Sequence, residues 1–386
     1  MTMRLQLRVF LALSLLSVAS CAGSTSPGPL GGASGQANQL SSDAGADANS
    51  GWVTVGTGEG GAVAPNAAYY GKIAVAGSIP YAIFEDYSSG GKLTVMKLAS
   101  GKWVAVGAAG FTLENAYYYS LYVDGTTPYV AYLGSSSSSV TVMKYNGSAW
   151  VLVGTAGFAT SYGWGAVSLV VSNGTPYIGF VDGSSQLQVM SFNGSAWVSL
   201  GGVPVSLYGS ACALTIFNGS VYLAYNDWIK SLTVLAMWNG TSWVQIATTT
   251  YTIDEDYGQY LGGSNGALYL IYYNYTYGVI VWKLSGSTLV SVGTPGTITN
   301  GDYVEYVSGT VYNGVPYVAF DDEARDSDPE PRAATVKYFD GANWQLYAGY
   351  ANPCDIENTY IAADQSTGQI YFTYEDCEGF MTVQVH

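Results

Sequence analysis

The chain has 386 residues, 48% of them hydrophobic and 14% aromatic, enough apolar surface for a sizeable core in one large or two ordinary domains. Its 49 glycines and 34 tyrosines, with only 10% charged residues, fit short strands and tight turns and argue against helices rich in Glu, Lys and Ala, so the expected fold class is all-β. A net charge of -15 with 12 Lys and Arg excludes nucleic acid as a partner, because a phosphate-binding surface must offer cations that displace condensed counterions.

The chain opens MTMRLQLRVFLALSLLSVASC. Arg4 and Arg8 precede an apolar run from Val9 to Val18 that is too short to span a bilayer, the pattern of an export signal. The run ends in Val18-Ala19-Ser20-Cys21, which resembles the lipobox of bacterial lipoproteins. That resemblance implies a signal peptide over 1–20, cleavage before Cys21 and lipidation of Cys21. It places the protein in the bacterial cell envelope, at the outer membrane or cell surface, touching membrane through the lipid alone. Residues 21–50 carry almost no large apolar side chains and cannot offset chain entropy, so a disordered tether is expected there, reaching ~30 Å. Residues 51–386 are expected to form one folded domain.

Within that domain a strand of the form WVxVG begins at Trp52, Trp103, Trp150, Trp197, Trp243, Leu289 and Trp344. A second mark, of the form PYVAY, has its Tyr at Tyr81, Tyr129, Tyr177, Tyr222, Tyr269, Tyr317 and Tyr371, and an aromatic follows three residues later in all seven copies. Each unit holds four β-rich runs, as at 166–171, 176–180, 186–192 and 196–201. Units of this length with four strands each predict a seven-bladed β-propeller of antiparallel blades, stacked around an axis so that both faces of each blade are buried. The pairs Asn146-Gly147, Asn193-Gly194 and Asn239-Gly240 read as two-residue type I′ turns between third and fourth strands. The seventh copy has three strands, and the opening strand GWVTVG has no partners of its own. Trp52 to Val55 is therefore expected to complete blade seven as its outermost strand. This arrangement resembles the ring closure of WD-type propellers, whose Gly-His and Trp-Asp signatures are absent here, so only the topology is implied.

In such a propeller the loops into each first strand and those between second and third strands share one face, termed here the top face. Of 27 Asp and Glu, all but Asp43 and Asp47 in the tether and Asp124, Asp340 and Asp364 on the opposite side belong to the top face, whereas Lys97, Lys144, Lys283 and Lys337 lie toward the bottom. The acidic face suits cations or basic partners. Five copies place Asp five residues after the repeat Tyr, at Asp86, Asp182, Asp227, Asp322 and Asp376, a regularity that fits turn capping. The insertion 321–331 has no such regularity, and Asp321, Asp322, Asp326 and Asp328 are its candidate ligands for Ca²⁺, the one cofactor expected, although their spacing matches no EF-hand loop. Aromatic rings beside acids suit sugars, whose C–H faces stack and whose hydroxyls donate. The candidate ligand-binding residues are Tyr118, Trp164, Tyr208, Tyr257 and Tyr303 with Asp256, Asp302 and Glu305. In architecture and composition the chain is generally similar to secreted propeller lectins. The expected function is a monomeric, surface-anchored, non-enzymatic module binding a glycan or a protein on this face. A carboxylate-based glycan hydrolase or lyase and an envelope assembly scaffold are the alternatives.

The only histidine is His386, at the last position, which leaves carboxylate chemistry as the route to catalysis. Sialidases carry Asp-box turns of the form SxDxGxxW, but MSFNGSAW puts Met190 and Phe192 where the Ser and Asp belong, and Arg325 and Arg332 are the folded part's only arginines. Cys354 and Cys377 are expected to form a disulfide on the top face of blade seven. Cys212 reads as a small buried apolar residue.

Overall fold

The computed structural model describes residues 51–56, 63–64, 68–161, 167–201, 212–227, 229–253, 258–299, 303–322, 333–349, 357–376 and 379–386. The expected signal (1–20) and tether (21–50) lie outside the described residues. The described strands form seven antiparallel sheets arranged as a seven-bladed propeller, with no α-helix among the described residues. The first strands of the blades are Ala68–Ala76, Ala116–Asp124, Ser168–Ser172, Cys212–Phe217, Gln259–Ser264, Val304–Tyr312 and Glu357–Ala363. Each neighbours the first strand of the next blade, and the seventh returns to the first, so these strands surround the axis. Blade two carries one addition, the two-residue strand Ala159–Thr160, which pairs with Ser139 and Val140 beyond the reach of its fourth strand.

The repeat residues explain the packing. The second aromatic of each copy, Phe84, Tyr132, Phe180, Tyr225, Tyr272, Phe320 and Tyr374, is fully buried, filling the interior between blades. The outer-strand tryptophans bind one blade to the next. The indole N–H groups of Trp103, Trp150, Trp197 and Trp344 donate to the carbonyls of Val55, Val106, Val153 and Val292 in the preceding outer strands, at 2.7 to 3.1 Å. On the bottom side, the ammonium groups of Lys144 and Lys283 lie 5.9 and 5.7 Å from the rings of the repeat tyrosines Tyr129 and Tyr269. Lys337 is out of step, opposite Val318 instead of a tyrosine, and donates to the carbonyl of Ile298.

The ring closes as the deficits at its two ends require. Val53 and Thr54 pair antiparallel with Val385 and Gln384, making the opening strand the outermost of blade seven. Trp52 packs against Tyr347, Phe372 and His386 and donates to the Gly349 carbonyl. The single histidine is thus part of the closure, its Nδ1 2.8 Å from the Gly51 carbonyl oxygen.

The turns differ from expectation. Asn146 to Ala149 form a four-residue loop between the paired residues Tyr145 and Trp150, and of these only Gly147 has positive φ. The Asn146 carboxamide oxygen accepts from the backbone N–H groups of Ser148 and Ala149, and Asn193 and Asn239 close equivalent loops. The asparagine therefore acts through its side chain, as an Asx turn. Two-residue turns with both residues left-handed occur instead between first and second strands, at Asn173-Gly174, Asn218-Gly219, Asn265-Gly266 and Asn313-Gly314. There the primed twist matches the right-handed twist of the flanking strands.

Candidate functional site

Where the first strands begin at the top face, the sheets carry a recurrent irregularity. In blades one, two, six and seven the first strand gains an extra residue against the second, and that residue is left-handed: Tyr70 (φ 56), Tyr118 (φ 46), Tyr306 (φ 50) and Asn358 (φ 59). Blade five has Gly258 (φ 91) at the same place. A left-handed Tyr is costly where Gly would be free, and such bulges re-aim a side chain out of the ladder. Three of these five positions hold a tyrosine. Tyr70 is 50% exposed, Tyr118 42%, and Tyr117, beside it, 55%. The bulge in blade one is held from blade two, whose Tyr119 hydroxyl donates to the Tyr70 carbonyl while Lys72 Nζ donates to the Tyr119 carbonyl at 2.6 Å.

The bulge also fixes which residues stand opposite it. Before each one, a first-strand residue faces the second-strand residue four after the repeat Tyr: Tyr69 faces Glu85, Tyr117 faces Leu133, Glu305 faces Asp321 and Glu357 faces Glu375. Blades six, seven and one, consecutive once the ring has closed, thus present Asp321, Glu375 and Glu85 at one level. Burial, reinforced by Glu375, pushes the Glu85 carboxyl up to about 7. Burial likewise pushes Glu375 up to about 7, with Glu357 adding to it and the Asn358 amide, 2.8 Å from Oε2, working the other way. Two neighbouring carboxyls in a poorly solvated place titrate as a pair and hold proton density at neutral pH. Tyr70 stands among them: burial raises its hydroxyl, and the charges of Glu85, Glu375 and Glu357 raise it further. Lys72, half-buried on the same first strand, has its ammonium lowered to about 8 by desolvation and set 5.0 Å from the Tyr119 ring centroid.

Four of the five regular aspartates have a different task. Asp86 accepts from the backbone N–H groups of Ser88 and Ser89, Asp182 from Ser184 and Gln186, Asp227 from Lys230, and Asp376 from Phe380. They hold the loops between second and third strands, as capping predicts. Blade two has Gly134 at this position, and Glu114 replaces the missing carboxylate, accepting from the backbone of Ser136 and Ser137. A Cβ on Gly134 would collide with the Glu114 carboxylate, so Glu114 can take this place only beside a glycine.

Of the residues singled out from the sequence, Tyr118 is a bulge residue on the rim. Tyr303 donates to Glu305 at 3.0 Å and meets the Tyr273 ring edge-on at 6.1 Å. Asp321 is fully buried at the level of Glu85 and Glu375. Asp322 is its neighbour along one strand, so the two project to opposite faces of the blade and do not converge on one cation. The described residues contain no group of three or more His, Cys, Asp or Glu placed to hold a metal ion. Cys21, Trp164, Tyr208, Asp256, Tyr257, Asp302, Asp326, Asp328, Cys354 and Cys377 lie outside the described residues. Cys212 is buried in the core of blade four, its thiol pushed up to about 12 by desolvation. Sequence reasoning passed over Glu85 and Glu375, because attention to the repeating Asp drew it away from the residue just before it, where acids occur only in blades one, six and seven.

No family model matches the chain, and no curated protein matches it in sequence. Similar solved structures include a triple arginine-to-alanine mutant of AofleA from Arthrobotrys oligospora, 12% identical, with a TM-score of 0.53 over 73% of this chain and 85% of that one. The SapL1 lectin in complex with alpha methyl fucoside is 13% identical, with a TM-score of 0.51 over 73% of this chain and 95% of that one. The Aleuria aurantia lectin, a six-bladed β-propeller, is 13% identical, with a TM-score of 0.47 over 74% and 96%. At these identities the likeness is one of fold.

Proposed function

We propose that the protein is an exported, lipid-anchored, non-enzymatic module that binds a glycan on the top face of its propeller. One observation carries the reading: the exposed ring of Tyr70, set out by a left-handed bulge beside the carboxyls of Glu85, Glu357 and Glu375, with the exposed rings of Tyr117 and Tyr118 on the next blade. Flat rings take the C–H faces of a sugar, and carboxyls accept from its hydroxyls. The fold is shared with the SapL1 lectin, whose structure holds a fucoside. A Ca²⁺ ion held by Asp326 and Asp328 with one of Asp321 and Asp322, but not both, belongs to the same proposal. A glycan array probed with the chain from residue 21 onward, carrying Cys21→Ser, with and without Ca²⁺, is expected to yield a defined set of bound sugars. Tyr70→Ala and Tyr118→Ala should each weaken binding by up to about tenfold, since a stacked ring contributes roughly 0.5 to 1.5 kcal/mol. Binding unchanged in both variants would remove this face from consideration.

The anchor has its own expected result. In a bacterial host the full chain should fractionate with membranes and Cys21→Ala should not; equal membrane association of the two would overturn the anchor. The Glu85 and Glu375 pair favours hydrolysis as a second reading, since a carboxyl protonated near neutral pH is suited to act as a general acid. New reducing ends released from an array-positive glycan, and their loss in Glu85→Gln, would establish it.

A further inference from the structure

We propose that the glycan taken by this rim is cationic: an oligosaccharide of amino sugars with unacetylated nitrogens, its ring faces on Tyr70, Tyr117 and Tyr118 and an ammonium group between Glu85, Glu357 and Glu375. The inference rests on the glycan reading above and adds the charge of the ligand. Its argument is electrostatic complementarity on an exposed aromatic surface. Among the described residues the one ion pair joins Lys230 to Asp227, so neither Glu85 nor Glu375 has a cationic partner there. Lys72 supplies none: it does not act on either carboxyl, and its ammonium donates to the Tyr119 carbonyl and lies over the Tyr119 ring. The other groups facing the two carboxyls are acids, phenols and an amide: Glu357, Asn358 and Asp376 of blade seven, Tyr69 and Tyr70 of blade one and Tyr119 of blade two.

An ammonium group brought to this place allows both carboxyls to ionise together, and the ionisation then favours the ligand. A neutral sugar leaves their repulsion and burial in place. An anionic sugar adds a third negative charge to the two. Binding of the ammonium form displaces protons from the pair. Affinity should therefore rise from pH 6 to pH 7 as the carboxyls ionise, then decline where the amine itself loses its proton.

The test is isothermal titration of the chain from residue 21 onward, carrying Cys21→Ser, with three probes: a β-1,4-linked glucosamine tetramer, its fully N-acetylated counterpart and a β-1,4-linked glucose tetramer. The glucosamine tetramer is expected to bind at least about tenfold more tightly than the others, with proton release at neutral pH. Glu85→Gln with Glu375→Gln should lower its affinity by about tenfold or more, a clearly larger loss than the same change causes for the acetylated tetramer. Tyr70→Ala should weaken both. Glu357→Gln, at an exposed residue, provides a second variant whose folding is not at stake, and it should also lose more affinity for the amine than for the acetylated tetramer. Equal or tighter binding of the acetylated or glucose tetramer overturns the charge assignment and leaves the glycan reading standing. Binding of a lysine-rich peptide with none of the tetramers bound overturns both.

Discussion

Trp52→Ala is expected to destabilise the propeller by about 3 to 5 kcal/mol, measured as a lowered urea midpoint at unchanged slope. The indole is 5% exposed and lies between Tyr347, Phe372 and His386, with ring centroids 5.8, 5.5 and 6.1 Å away. Truncation leaves a cavity that strand pairing on either side prevents from collapsing, and it strands the Gly349 carbonyl that accepts the indole N–H. The site is also the seam of the ring, since Gly51, Val55 and His386 exchange backbone and side-chain hydrogen bonds with Ala348, Val383 and Gly51 across it. Removing residues 51–55 should go further, exposing the strand Met381–Val385 as an open edge. Amide exchange at 381–385 should then become fast and the protein should self-associate. A Trp52→Ala variant within about 1 kcal/mol of the parent would mean that the ring does not depend on this closure.

The architecture was readable because its determinants repeat. A tryptophan whose indole must reach the preceding outer strand, and an aromatic that must fill the space between blades, recur once per blade, and the counts of complete and incomplete units fixed the closure. The candidate site was readable only in part because it breaks the repeat. Four residues after the repeat Tyr the chain has Glu85, Leu133, Val181, Asn226, Tyr273, Asp321 and Glu375, and nothing local marks the acids. They become neighbours only when blade seven meets blade one, some 290 residues apart in sequence. The left-handed tyrosines were hidden for another reason: Tyr has no preference for that conformation, and only tertiary contacts such as that of Tyr119 with the Tyr70 carbonyl impose it. The Asn-Gly turns show the converse error, in which a strong local signal was assigned to the wrong hairpin because an asparagine carboxamide can close a longer loop equally well.

The pair of raised carboxyls also makes stability depend on pH in an unusual direction. Glu85 and Glu375 titrate at about 7 in the folded chain against an ordinary 4.5, so between those values the folded state holds more protons than the unfolded one. Stability from this source is complete below about pH 4.5 and is lost as pH rises through 7. Allowing for solvent screening and for the coupling of the two groups, the loss between pH 5 and pH 8 is about 2 kcal/mol for the pair. Below pH 4 the sign reverses, because Asp86, Glu114 and Asp364 are held below the ordinary range by hydrogen bonds from serine and threonine side chains and nearby backbone, and their protonation removes that stabilisation. Urea midpoints should therefore peak near pH 5 and fall toward pH 8. The double substitution Glu85→Gln with Glu375→Gln should flatten the fall and leave the variant more stable than the parent at pH 8. A parent whose midpoint is level from pH 5 to pH 8, or a double variant that keeps the parent's slope, would show that these two carboxyls do not share a poorly solvated place at the junction of blades seven and one.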